Sequence, residues 1–270
     1  MRTLVHLSDL PFGRVDDALI KPLIDLVGSM RPDVVVVSGD LTQRARSGQF
    51  KAARHFLDAL PKPQIIVPGN HDVPLHNVFD RFVRPLDKYR RYICDDLEPA
   101  YIDAEIAVLG LNTARSSTIK NGRINAQQIA RLRARLQLLD PHVLKVVVTH
   151  HPFDLPKHHG KSDLVGRAPA AMAMFATSGA DLLLAGHMHA SHAGNTSLRY
   201  EVDGYSAVAV QAGTATSTHC RTEPNAFNLI CTESSQIVIQ QFTCAPGSTT
   251  FSPSETRIFE RSDKGWSLSS

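Results

Sequence analysis

Five apolar runs in this 270-residue sequence end on side chains able to bind a metal or carry a proton. Asp9 follows TLVHLS, Asp40 follows VVVVSG, and Asn70, His71 and Asp72 follow IIVPG. His150 and His151 follow VVVT, and His187 and His189 follow LLLAG. One Asp or Asn after a strand is commonplace, because these residues form turns and cap helices. Five such endings, three of them entered through glycine, ask for a shared cause. Carboxylate, amide and imidazole donors without a thiolate suit Mn, Fe or Zn rather than a structural cysteine site. A carboxylate shared by two cations ~3.5 to 4 Å apart can serve an in-line displacement at phosphorus.

The elements that deliver these groups read as strands alternating with helices. Residues 3–7, 34–37, 65–67, 145–148 and 182–185 are continuous apolar runs, the pattern of strands covered on both faces. Amphipathic stretches at 16–30, 49–60, 77–92, 125–138 and 169–177 lie between or after them and predict helices. This order predicts an α/β core with parallel strands, whose carboxyl ends share one rim where ligands gather. Residues 101–111 read as two short strands turning at Asp103, and 112–125 as a loop whose 116–123 portion covers the rim. Beyond this come predicted strands at 197–202, 205–211, 227–232 and 237–242, the first two joined at Asp203-Gly204. Residues 1–270 read as a single domain, with 245–270 an extension carrying one added strand at 256–261.

Composition narrows the function classes. With 43% hydrophobic and 20% charged residues the chain can bury a core without staples, which excludes disordered and fibrous proteins. A net charge of +3 gives no basic stripe, so no nucleic-acid partner is expected. The four cysteines, Cys94, Cys220, Cys231 and Cys244, form no CxxC pair and read as reduced thiols. The opening MRTLVHLSD carries no leader-like apolar stretch, and a cytoplasmic location is expected. Homo-oligomerisation is compatible with the sequence.

The motifs D-L-P at 9–11, G-D-L at 39–41, G-N-H-D at 69–72, T-H-H-P at 149–152 and G-H-M-H at 186–189 carry a family resemblance. Across about residues 3–212 the chain resembles the calcineurin-like metallophosphoesterase superfamily, whose signature is D-x-H, G-D, G-N-H-D/E, H and G-H-x-H. Its HLSDL opening and GDLTQRA phrase look most like the bacterial class III cyclic-nucleotide phosphodiesterases and the lipid A precursor pyrophosphatases. The resemblance implies a four-layer α-β-β-α sandwich of two mixed sheets flanked by helices. It implies two divalent metal ions (Mn, Fe or Zn): Asp9 and His189 on the first, Asp40 between them, and Asn70, His150 and His187 on the second. His71 is then the general acid or phosphate contact, held in orientation by Asp72, with Asn70 beside it. The implied activity is a dinuclear-metal phosphodiesterase that attacks with a metal-bridged hydroxide, its expected substrate a small phosphate ester, first a cyclic nucleotide. The alternative substrate is a nucleotide sugar of the UDP-diacylglucosamine type.

One position departs from the signature. Pro11 stands where the pattern has His, and proline offers no side-chain donor. The first metal site is therefore expected to be weakened, and an impaired or metal-poor binding protein is the rival reading. His192 could substitute; His6, at odd separation from Asp9 on a strand, faces away. His151 reads as packing by the same alternation. Arg44 and Arg46 are candidates for phosphate, as is Asn112. In 77–92, Val78, Phe79, Phe82, Val83 and Leu86 should face the sheet while Arg81, Arg84, Lys88, Arg90 and Arg91 face water, so membrane contact is not expected.

Overall fold

Alternating burial within the strands builds two hydrophobic layers from one run. In β1 (Arg2–Leu7), Leu4 joins the layer between two sheets while Val5 and Leu7 join the layer under the helices. β2 (Val34–Val37) divides in the same way, Val34 and Val36 inward and Val35 and Val37 outward. The computed structural model describes every residue except 76, 119, 157, 158, 219–222 and 270.

α1 (Asp17–Met30) starts where the Asp16 side chain accepts a hydrogen bond from Ala18 N–H, and it precedes β2. Then come α2 (Ser47–Ala59), β3 (Gln64–Ile66), α3 (Val78–Val83), α4 (Asp87–Tyr92), β4 (Ala100–Ile102) and β5 (Ile106–Gly110). α5 (Ala126–Gln137) opens on a capping box between Asn125 and Gln128, and leads to β6 (Leu144–Val148), α6 (Ala168–Ser178) and β7 (Leu182–Ala185). The remaining strands are β8 (His192–Asn195), β9 (Val208–Gln211), β10 (Asn225–Thr232), β11 (Gln236–Cys244), β12 (Phe251–Ser262) and β13 (Gly265–Leu268).

One mixed sheet runs β13-β12-β11-β10-β1-β2-β3, parallel only between β1 and β2 and between β2 and β3. The other runs β4-β5-β6-β7-β9-β8, parallel from β5 through β9. Leu4, Val36, Val146, Leu184, Val210 and Phe259 fill the space between the sheets. α1 and α2 cover the first sheet, and α5 and α6 cover the second, which completes the four-layer α-β-β-α sandwich. The ends of β1, β2, β3, β6 and β7 therefore meet along one rim.

Several predicted elements differ. Residues 77–92 form two short helices, because Pro85 lacks an N–H and Arg84 before it leaves helical geometry (φ −139°). α4 packs on β3 through buried Tyr89, whose Oη donates to Ile66 O at 2.9 Å. α3 does the opposite of the expected packing: Val78, Phe79, Phe82 and Val83 face water and Arg81 is buried. The predicted hairpin shifts toward the N-terminus, with β8 at 192–195 in place of 197–202. Residues 199–205 tie outward instead, through Arg199 to Asp154, Tyr200 Oη to Phe153 O and Tyr205 Oη to Ala180 O. The C-terminal stretch forms two strands rather than one, since Gly265 adopts φ 89° after the Asp263-Lys264 turn and returns the chain as β13. Cys94 and Cys231 are half-buried free thiols, buried Cys244 donates to Ser248 O, and Cys220 lies outside the described residues. No helix among the described residues is long and apolar enough to cross a membrane.

The C-terminal hairpin is bolted across to the second sheet. Buried Trp266 donates from Nε1 to Asp181 at 3.0 Å, and Arg261 pairs with the same carboxylate at 2.9 Å. Trp266→Ala removes a buried indole and leaves Asp181 short of a donor, which should cost about 3 to 5 kcal/mol in urea denaturation. A loss below about 1 kcal/mol would contradict this anchoring role.

Candidate metal centre

Four of the candidate metal ligands occupy left-handed backbone: Asp9 (φ 50°), Asp40 (φ 54°), His187 (φ 73°) and His189 (φ 58°). Such conformations cost non-glycine residues roughly 1 to 3 kcal/mol each and persist only where the surroundings enforce them. Enforcement is visible: Asp9 N–H donates to Gly39 O at 3.1 Å, and His187 N–H donates to Asp9 Oδ2 at 3.0 Å. His71 N–H donates to Asp40 Oδ1 at 2.8 Å. The glycines that precede these residues are required by close approach. A methyl group on Gly69 would collide with Asp40 Oδ1, and one on Gly186 would collide with Ser8 Oγ. The G-D, G-N-H-D and G-H motifs are thus the sequence trace of strand ends pressed together.

The donors converge around Asp40. Its Oδ2 lies 3.4 Å from His150 Nε2, which is also 3.1 Å from Asn70 Oδ1. Asp9 Oδ1 lies 3.6 Å from His189 Nε2. One donor atom each from Asp9, Asp40 and His150 falls within 4.8 Å of the others. Ser38 O accepts from His150 Nδ1–H at 2.7 Å, and Thr214 Oγ1 bonds His189 Nδ1 at 2.8 Å. These bonds aim the Nε2 atoms into the site, as outer partners of ligating imidazoles do. His151 also clusters with His150 and His187 but spends Nδ1 on Thr113 Oγ1 and Nε2 on Lys120 O. Both ring nitrogens are thus engaged, but the ring lies against His150 and His187 instead of facing away, because the strand ends at Val148.

Buried charges in the cluster shift one another's protonation. Burial opposes charge on His150, yet Asp40, with help from Asp9, raises its pKa to about 9. Burial works against the Asp40 carboxylate, yet His150 and His71 hold its pKa far below the usual range. Burial, reinforced by His150, lowers His187 to about 3, so its imidazole is neutral and keeps a lone pair. Asp9 Oδ1 is buried and has no hydrogen-bond partner, because Ser8 Oγ and His187 N both bond Oδ2. An orphaned carboxylate oxygen facing an imidazole nitrogen fits a divalent ion. The described donors fall into two overlapping groups, Asp9 with Asp40 and His150, and His150 with His151 and His187, and Asp9 also faces His189. Pro11 lines the same cleft and supplies no donor.

The cleft holds about 290 Å³, and Pro11, Arg14, Gln43 and His71 are among the residues that line it. Gln43 O accepts from His71 Nδ1–H at 3.1 Å, which leaves Nε2 for the cleft. Asp72 differs from its expected role. Its carboxylate accepts from Gly69, Leu41 and Thr42 N–H and from Thr42 Oγ1, at 2.9 to 3.2 Å, rather than from His71. It clamps the β2 and β3 ends together, and burial together with Asp40's charge pushes its pKa up to about 7. Asn112 is bonded to Ala114 N–H and lines a neighbouring hollow with Leu86 and Arg115, outside the cleft. Arg44 and Arg46 are exposed at the start of α2, and neither lines the cleft. His192 borders a separate hollow with Glu255 and Arg257, and buried His6 bonds Ser38 Oγ, so neither replaces a ligand at position 11. Sequence reasoning missed Arg14; its position in the loop after the β1 end was the available signal.

This donor set at the strand ends of a four-layer sandwich defines a metal-binding protein of the metallophosphoesterase class. Residues 2–191 match the model of the calcineurin-like phosphoesterase family, and the chain belongs to that family. Members bind two divalent metals. A stretch of 124 residues is 32% identical to the glycerophosphodiester phosphodiesterase GpdQ of Enterobacter lignolyticus, covering 38% of this chain and 44% of that protein. The match thus spans less than half of that relative's length. The fold is similar to a purple acid phosphatase from yellow lupin (Lupinus luteus) seeds, with TM-score 0.71, 11% identity and coverage of 97% of this chain and 55% of the lupin chain. It is also similar to a dimetal phosphatase from Danio rerio, with TM-score 0.64, 16% identity and coverage of 88% and 95%.

Gly69→Ala should push Asp40 off its position while leaving the sheets intact. Manganese retained after gel filtration should fall to less than about half of the unsubstituted protein's at unchanged circular dichroism. Unchanged metal content would contradict the close-approach argument.

Proposed function

We propose that the protein is a metal-dependent phosphodiesterase acting on small phosphate diesters. The observation that carries this reading is the Asp40 carboxylate set between two donor groups in a cleft that also holds Arg14 and His71. When bound, the two ions lower the pKa of water and neutralise charge gathering on phosphorus. The chain's own residues do the rest. Arg14 and His71 flank the cleft where phosphate oxygens would lie, and His71 Nε2, with Nδ1 tied to Gln43 O, is placed to pass a proton to a leaving alkoxide. Asp72 acts one step removed, by fixing the loops that carry Asp40 and Asn70. A cleft of about 290 Å³ fits a small ester rather than a polymer. Similarity to a protein named as a glycerophosphodiester phosphodiesterase supports a diester. Cyclic nucleotides remain the first substrates to test, with nucleotide sugars as the alternative.

Pro11 favours a second reading. With three protein donors on the first site against four on the second, the first ion is the weaker one. A scaffold that loses it binds phosphate esters without turning them over.

Hydrolysis of bis(p-nitrophenyl) phosphate with added Mn²⁺ separates the readings. The unsubstituted chain should be active at high Mn²⁺, and Pro11→His should lower the Mn²⁺ needed at least about tenfold, since loss of even an outer partner of a ligand typically costs about 10- to 100-fold in metal affinity. Asp40→Asn should remove at least about 99% of the rate. Inactivity of both the unsubstituted chain and Pro11→His would overturn the enzyme reading. Activity of Pro11→His alone would favour the binding scaffold.

A further inference from the structure

α3 turns its apolar side to solvent. Val78, Phe79, Phe82 and Val83 are 67%, 61%, 60% and 59% exposed, and nearby Leu75 is 42% exposed. Spacings of three and four residues put the four helical side chains on one face. The orientation is built in, not a loose end. Arg81, only 7% exposed, donates from its guanidinium to Pro74 O at 3.1 Å and Thr118 O at 2.6 Å, locking the opposite face down. The sequence pattern has thus been inverted: the cation of the helix is inside and its phenyl rings are outside.

Cations rim this patch. Beside it lies a hollow of about 420 Å³ lined by Arg84, Lys88, Arg90 and Arg91, with Asp80 and Asp87 in the same wall. Among the described residues the ion pairs of these cations are long: Lys88 to Asp80 at 3.6 Å, Arg84 to Asp87 at 3.8 Å and Arg90 to Asp95 at 3.8 Å. Such pairs contribute little and exchange readily for another anion. Exposed Phe and Val beside clustered Arg and Lys match an interface of acyl chains under anionic headgroups. Five neighbouring exposed apolar side chains are more than a scattered surface hydrophobe. A two-fold contact through them would bring the net-positive rim of one copy against that of the other.

We infer that α3 with Leu75 is a docking element that seats this side of the protein on an anionic lipid surface, Phe79 and Phe82 entering the acyl boundary and Arg84 and Lys88 meeting headgroup phosphates. The Arg81 bond to Thr118 joins the element to the 116–123 loop, whose Lys120 carbonyl bonds His151 behind the metal ligands. None of the docking residues lines the cleft, so docking is independent of what the cleft hydrolyses.

The test is co-sedimentation of the full chain with vesicles of phosphatidylcholine alone and of phosphatidylcholine with phosphatidylglycerol. The bound fraction should be at least about tenfold higher with phosphatidylglycerol and should fall as salt rises. The double variant Phe79→Ser, Phe82→Ser should lower binding about tenfold or more, as should Arg84→Gln with Lys88→Gln. All four side chains are more than a third exposed on the surface, and circular dichroism checks that the variants keep their fold. Absence of binding to either vesicle, or binding that survives both double variants, would overturn the proposal. A dimer in light scattering that the phenylalanine variant converts to monomer would overturn it in favour of a second copy.

Discussion

The Asp40 carboxylate lies so close beneath Gly69 that no side chain fits between them, and the rest of the site follows from that contact. It forces the ends of β2 and β3 together, and Asp72 closes the join by accepting hydrogen bonds from both. Gly39 leaves room on the other side, where a Cβ would stand 2.7 Å from His150 Nδ1. His150 comes from the second sheet. The apolar layer between the sheets must therefore hold their strand ends in register to within an ångström or so, and its Val, Leu and Ile packing is part of the metal centre's construction.

Backbone strain and charge are concentrated in the same few residues. Four candidate ligand positions take left-handed geometry, and two buried carboxylates face imidazoles across 3.4 and 3.6 Å. Neither feature stabilises the fold by itself; divalent cations reward both. Pro11 makes the arrangement asymmetric. It keeps the loop path from Asp9 to Arg14, with Pro11 O accepting from Arg14 N–H at 2.7 Å, while removing a donor from one site only.

The convergence of five strand ends was legible in the sequence, because apolar runs and the groups that follow them are both local signals. Strand periodicity also kept His6 out of the candidate set, since alternation fixes which way a side chain points, whereas His151, past the end of β6, packs against His150 and His187. Asp72's true partners were not legible: Gly69, Leu41 and Thr42 N–H become neighbours only when β2 and β3 pair. Arg14 escaped notice because its loop carries no motif beyond Asp9. The direction of α3 escaped for a different reason. Periodicity defines an apolar face but not which way that face turns, and the burial of Arg81 against Pro74 O and Thr118 O, contacts distant in sequence, decides it. The β8–β9 hairpin shifted because Arg199, Tyr200 and Tyr205 spend their polar groups on the neighbouring loops, a tertiary preference that outweighs local strand character.

In the proposed reading Asp40 joins two unequal cation sites. Anomalous scattering from crystals soaked in manganese, at limiting and then saturating concentration, puts this to the test. One peak is expected beside Asn70, His150 and His187 at limiting metal, and a second between Asp9 and His189 only near saturation. Simultaneous filling of both positions, or a first peak beside Asp9 and His189, would contradict it.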